Sequence, residues 1–179
     1  MAFQVKAIIP PRLNPEVFEA EIERELERQG EIIRRLYEKT VATWSSPKPK
    51  FKLETLLESP GPRGGRTSKA ASVEVSTDDD RFIWTDLGTR PHPITARRAP
   101  YLVFRWPYGA KTRRRVLGSR QARRGRNWAS KRRIRHPGTR ARLFTDEIEK
   151  RRRRPFFGGM SQAIDRATRR AFSGRRPTS

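Results

Sequence analysis

From Leu87 to Thr145 the chain carries eighteen Lys and Arg and not one Asp or Glu. A stretch of that kind cannot neutralise its own charge. It must be solvated, held extended or met by an acidic partner, and this limits what it can fold into. Its densest part holds Lys111, Arg113, Arg114, Arg115, Arg120, Arg123, Arg124, Arg126, Lys131, Arg132 and Arg133, with Gly118, Gly125 and few apolar residues among them. So little apolar surface cannot build a core, so the spacing predicts a long basic arm or loop over residues 109–133, inserted between strands. The whole chain has 179 residues, 34% of them hydrophobic, and a formal charge of +23. That balance suits a modest core plus segments that order against a partner. Nucleic acid, an anionic membrane and acidic protein surfaces all fit the charge, whose sign alone does not choose among them.

The remaining sequence supplies the core. Asn14-Pro15-Glu16 reads as a helix start, with Asn as cap, Pro at the first helical position and Glu facing the helix dipole. Phe18, Ile22, Leu26, Ile33, Tyr37, Val41 and Trp44 then recur at helical spacing as one apolar stripe, with Glu and Arg covering the rest. Ser45-Ser46-Pro47-Lys48-Pro49 ends this helix. Strands are expected from Phe51 to Leu57, from Ala71 to Ser76, from Arg81 to Thr85 and from Tyr101 to Trp106. Thr77-Asp78-Asp79-Asp80 reads as the turn of a hairpin joining the second and third of these. Leu143 to Lys150 suggests a helical turn or two. A separate closing helix is expected over about Phe156 to Phe172, with Phe157, Met160, Ile164, Ala167 and Ala171 on one face. The fold class is α+β: a long N-terminal amphipathic helix packed on a small antiparallel sheet, a long basic loop, and a C-terminal helix. Residues 1–172 form one domain in this reading, and 173–179 a disordered tail.

Chemistry is sparse. With no Cys, disulfides, thiol catalysis and thiolate-ligated metals are excluded. The only histidines, His92 and His136, each precede a proline, and a rigid loop whose imidazole bonds locally outweighs a shared metal or pH-sensing pair. The Asp78–Asp80 run reads as a solvated turn. Gly64-Gly65-Arg66-Thr67 lacks the spacing of a phosphate loop. No catalytic residue, cofactor site or metal site is expected, and the chain is read as a non-enzyme. No apolar stretch approaches the length that spans a bilayer, so a soluble protein made in the cytoplasm is expected, without a membrane partner.

Two loop motifs carry a resemblance. The first is Trp84-Thr85-Asp86-Leu87-Gly88-Thr89-Arg90-Pro91-His92-Pro93-Ile94, followed by Arg97-Arg98-Ala99-Pro100-Tyr101-Leu102-Val103-Phe104. The second is Arg135-His136-Pro137-Gly138-Thr139-Arg140-Ala141-Arg142, followed by Pro155-Phe156-Phe157. In their order and spacing they resemble the tail-completion, or neck, family of long-tailed bacteriophages and prophages, over roughly residues 81–172. The chain departs from the family's usual Pro-Val-Asp-Thr-Gly segment after the first helix, having Ser45-Ser46-Pro47-Lys48-Pro49 instead.

The resemblance implies a structural virion protein at the head–tail junction, with no turnover. Its subunits would close into a homo-oligomeric ring of six or twelve through heterologous interfaces. Its partners would be the portal, adaptor or head-closure protein on one side and the tail terminator or tail tube protein on the other, with genomic DNA passing through the lumen. Gly88, Thr89, Arg90, Pro91, His92, Pro93, His136, Pro137, Gly138 and Thr139 would then form rigid loops that meet neighbouring subunits. The rival reading is a nucleic-acid-binding protein whose arm grips phosphates, with Trp106, Tyr108 and Trp128 among the arginines available to stack on bases.

Overall fold

The computed structural model describes residues 2–8, 15–58, 68–106, 110–119 and 127–173. The class is α+β, and the chain divides into two compact units.

The first unit comprises Met1–Arg35, Phe51–Ser76 and Glu149–Ser179. Its sheet has strands β1 (Ala2–Ile8), β2 (Lys52–Glu58) and β3 (Ser68–Ser76) in the order β1-β3-β2, all antiparallel. The central strand β3 alternates, with Ala71, Val73 and Val75 buried and Glu74 exposed, so one face of the sheet is covered. Helix α1 (Pro15–Thr40) covers it, burying Phe18, Ile22, Leu26 and Ile33. At Gly30 helix and sheet approach so closely that a Cβ would strike Leu53 Cδ1 and come within 2.7 Å of Val73 Cγ2. The glycine that weakens the helix by about 1 kcal/mol is the one that lets it seat on the sheet.

Helix α1 has a second covered face. Helix α3 (Phe144–Ser173) buries Phe156, Met160, Ala163, Ala167 and Ala171. At Gly159 a Cβ would lie 2.5 Å from both Gln29 Nε2 and Glu25 Oε1. The side of α1 that α3 covers therefore carries Glu21, Glu25 and Gln29, all buried. This differs from the expected single apolar stripe with a solvated remainder.

The second unit comprises Leu36–Lys50 and Thr77–Ile148. Its core is aromatic: Phe82 lies 5.7 Å from Tyr37 edge-on, 6.3 Å from Trp44 and 6.2 Å from Phe144, between ring centroids. Val41 and Ile148 are buried in the same unit.

Several expectations are corrected. Residues 81–85 are no strand and there is no hairpin with β3: they lie in helix α2 (Asp80–Leu87). Asp79 caps it, its carboxylate accepting from the Arg81 N–H at 2.9 Å, and Phe82 and Asp86, four apart, are its two buried residues. The first helix ends at Thr40, and residues 41–44 form turns that place Trp44 half-buried. Leu143–Lys150 and the closing helix are one element, α3, with Pro155 inside it. Pro155 is exposed, and burial of Phe144 and Ile148 on one side of it and of Phe156 and Met160 on the other offsets the hydrogen bond it cannot make. On the last helix Phe156, not Phe157, faces inward: Phe157 is exposed and Ile164 half-buried. The proposed Asn14 cap and residues 174–179 of the tail lie outside the described residues.

Candidate functional site

The acid-free stretch contributes four strands in two antiparallel pairs. β4 (His92–Thr95) pairs antiparallel with β7 (Arg133–His136), and β5 (Leu102–Trp106) with β6 (Asn127–Lys131). The first limb is extended at both ends: Ala96 N–H donates to the Arg132 carbonyl at 3.0 Å, and Thr89 bridges Thr139. The second limb resumes at Leu102 opposite Lys131. Between limbs, six residues (96–101) on one strand lie against the single residue Arg132 on the other, so the ribbon turns a corner with a long outer and a short inner edge. It doubles back, because Phe104, Ala129 and Lys131 of the second limb line one concavity with Arg133, Ile134, Arg135, His136 and Pro137 of the first. That concavity measures about 680 Å³. Its floor is apolar and three cations stand around it.

Among the described residues, none from Gly88 to Arg105 or from Asn127 to Leu143 is buried. Val103 and Trp128 are each 65% exposed. Arg105 stacks over the Trp128 ring, its guanidinium carbon 4.8 Å from the centroid, on the face opposite Phe104.

The base of this ribbon is where the two Gly-Thr motifs meet. Thr89 N–H donates to the Thr139 carbonyl at 2.9 Å, and Thr139 N–H returns a bond to the Thr89 carbonyl at 3.2 Å and to its hydroxyl at 2.9 Å. Gly88 (φ +80) and Gly138 (φ +84) both take left-handed backbone. A Cβ on Gly88 would sit 2.6 Å from the Thr139 carbonyl oxygen, and one on Gly138 would strike that of Thr89. Each glycine is thus required twice, by its own φ and by the partner turn.

His92 and His136 are opposite each other in the β4–β7 register, ring centroids 5.0 Å apart. Both rings are tied locally. His92 Nδ1 lies 2.9 Å from the Arg90 carbonyl, which requires the proton on that nitrogen, while Gly138 N–H donates to His136 Nδ1 at 3.1 Å, which requires it bare. Among the described residues no group of three or more acidic or imidazole side chains gathers as a metal would need.

The expected arm over 109–133 is not one loop. Its last part is β6, the corner residue Arg132 and the start of β7, with Lys131, Arg132 and Arg133 exposed. Residues 110–119 fold back on the second unit: Ser119 Oγ donates to the Thr40 carbonyl, Lys111 Nζ donates to Ser45 Oγ at 3.2 Å, and Arg115 N–H donates to the Arg142 carbonyl at 2.8 Å. Arg113, Arg114 and Arg115 are exposed. Arg120, Arg123, Arg124 and Arg126 lie outside the described residues. The structure therefore joins Gly88–Pro93 to His136–Thr139, while the described basic-arm residues fall in two places, Lys131–Arg133 at the ribbon corner and Lys111 and Arg113–Arg115 on the segment that folds back.

Two features have no counterpart in the sequence reading. Asp86 is buried and caps α3 from 58 residues away, its Oδ1 accepting from the Phe144 and Thr145 N–H groups and its Oδ2 from the Thr145 hydroxyl at 2.6 Å. In the first unit, the buried Glu21 accepts from Arg166 at 2.8 Å and from Arg170 at 2.6 Å, and Glu25 from Arg28 at 2.6 Å and Gln29 at 2.7 Å. The Arg166 bond, with Arg170 and Arg24 nearby, holds Glu21 below the usual carboxylate range against its burial. Burial pushes Glu25 up, but bonds from Arg28 and Gln29 hold it below its ordinary value.

Comparison with protein-family models, curated proteins and solved structures finds no match. Geometry alone defines the class: an α+β protein presenting a folded-back basic ribbon with an open apolar floor. Among the described residues no helix is long and apolar enough to cross a membrane.

Proposed function

We propose that this protein is a structural subunit of a tailed-bacteriophage neck, assembling as a ring of six or twelve that joins the head to the tail. The observation that carries the reading is the open ribbon. Ten residues of apolar and aromatic character there, including Val103, Phe104, Trp128 and Ile134, stay unburied in a segment whose backbone is nonetheless held in fixed register. A two-stranded ribbon is marginal by itself in water, so one with no buried residue gains its stability from what it meets. The motif order stated above supplies the family, and the interlocked Gly-Thr turns supply the rigidity that a repeating interface needs. Portal, adaptor or head-closure protein on one side and tail terminator or tube protein on the other are the partners in this reading. Its place is the head–tail junction of the virion.

Electron cryomicroscopy of particles carrying the chain tests this. Density for a ring of it between portal and tail, with the ribbon concavity against a neighbouring protein, is the expected result; absence of the chain from the particle ends the reading. A second reading, nucleic-acid binding, is favoured by Arg105 stacked on the exposed Trp128, a pairing that offers both a cation and an aromatic face. It requires affinity for DNA that falls steeply with salt.

A further inference from the structure

A small cleft lies apart from the ribbon concavity, in the second unit. Trp44, Ser45, Arg81, Thr85, Ala110, Lys111, Thr112, Thr139 and Arg142 line about 300 Å³, at the small end of the range for ligand sites. Three cations and four hydroxyls converge there, and no carboxylate lines it.

The cations differ in how far they are already satisfied. Arg81 is paired, its guanidinium 2.5 Å from Asp79 and 2.6 Å from the Pro47 carbonyl. Among the described residues Lys111 reaches only the neutral Ser45 hydroxyl. Arg142 has its Nε enclosed without a hydrogen-bond partner. Enclosing a charged donor unpaired is costly, so its persistence here points to a missing acceptor. Two acidic side chains close to the cleft's lining residues in sequence are spent elsewhere: Asp79 on Arg81 and the cap of α2, Asp86 on the cap of α3.

The cleft is also built rigidly. Arg142 N–H donates to the carbonyls of Thr85 and Asp86 at 3.1 and 3.0 Å, and its own carbonyl accepts from Arg115. Thr139 is held by the interlocked turns, and Thr112 is buried. Donors fixed by backbone need little reordering to receive a ligand. Acceptor-rich, compact and negative is the description of what is missing.

We propose that this cleft binds a phosphate group, received by Arg142 and Lys111 with hydroxyls of Ser45, Thr112 and Thr139 completing its shell. Charge-assisted bonds from a guanidinium and an ammonium are the strong ones for such an oxyanion. The group could come from a free phosphate ester or from a phosphodiester of DNA. The site does not depend on the neck reading, since it follows from the lining of the cleft alone.

The test is a titration of the full-length protein with inorganic phosphate at constant ionic strength, read by calorimetry and by thermal melting. Saturable binding with a rise in Tm is expected, weakened about tenfold in Lys111→Gln and lost in Arg142→Gln, and unchanged in Arg114→Gln on the exposed turn. Lys111→Gln keeps the test decisive if Arg142→Gln fails to fold. No saturable binding, or equal binding by wild type and Lys111→Gln, overturns the proposal. Once phosphate binds, displacement by a short DNA duplex assigns the phosphodiester source. Displacement by a nucleoside monophosphate but not by duplex assigns the free ester.

Discussion

The α1–α3–sheet unit and the ribbon solve opposite problems. The first buries eight or more large side chains on two faces of α1 and carries two carboxylates inside, Glu21 and Glu25, each matched by arginines. The ribbon carries about as many apolar side chains but buries none of them fully, and its arginines have no acidic residue within their own stretch of chain. Charge in the first region is consumed by the fold; in the second it remains available to a partner. Net charge alone does not separate these, because both regions are basic; what sets the ribbon apart in the sequence is that no Asp or Glu stands among its arginines.

The largest test of that contrast is truncation in the core against truncation on the ribbon. Phe156→Ala empties a fully buried site and should cost about 3–5 kcal/mol in denaturant unfolding. An equal or smaller loss than on the ribbon would break the comparison. Next comes Gly138→Ala, which forces a side chain into left-handed backbone and against the Thr89 carbonyl, for a cost of about 1–3 kcal/mol. Amide exchange should quicken across residues 89–96 and 132–139 while β3 keeps its protection; uniform quickening would mean the ribbon base is part of one cooperative unit.

Acid sharpens the comparison further. Hydrogen bonds from Arg34 and Arg35 lower Glu31 from 4.5 to about 2, and Glu21 and Glu25 are lowered as well. Carboxylates held below their unfolded values contribute stability that is present above about pH 4.5 and lost as pH falls toward 2. Unfolding in that window should therefore begin in the first unit, and Glu21→Gln should flatten the slope there; an unchanged slope would remove the network from the account. The smallest effect is expected from Trp128→Ala, within about 0.5 kcal/mol of wild type for the isolated protein, because a side chain this exposed loses little on truncation. Its cost should appear only when a partner is bound.

What could be read from the chain beforehand follows from how local each signal is. The first helix was legible from Phe18 to Val41 because its spacing repeats over many turns, and β2, β3 and β5 from their apolar runs. Helix α2 was misread, although Asp79 before Phe82 and Asp86 is a cap followed by a helical pair; the apolar content of Phe82-Ile83-Trp84 reads equally as a strand. β1 has no counterpart among the expected strands, though Phe3, Val5 and Ala7 alternate with Gln4 and Lys6. The pairing of Gly88-Thr89 with Gly138-Thr139 lies beyond any local pattern, since each turn is complete only through the other, 50 residues away. The cleft at Arg142 is equally non-local, assembled from four separate stretches of chain.

The corner between the ribbon's limbs bears on which insertions and deletions this chain can absorb. Residues 96–101 span the outer edge, where adding a residue or two lengthens a closed span, and doubling such a span costs only about 0.6 kcal/mol. Arg132 alone spans the inner edge. One residue added there would slip β7 against β4 by one position and turn every side chain of the strand to the opposite face, taking Ile134 and His136 out of the concavity. Relatives of this chain should accordingly vary in length before Leu102 and hold their length between β6 and β7.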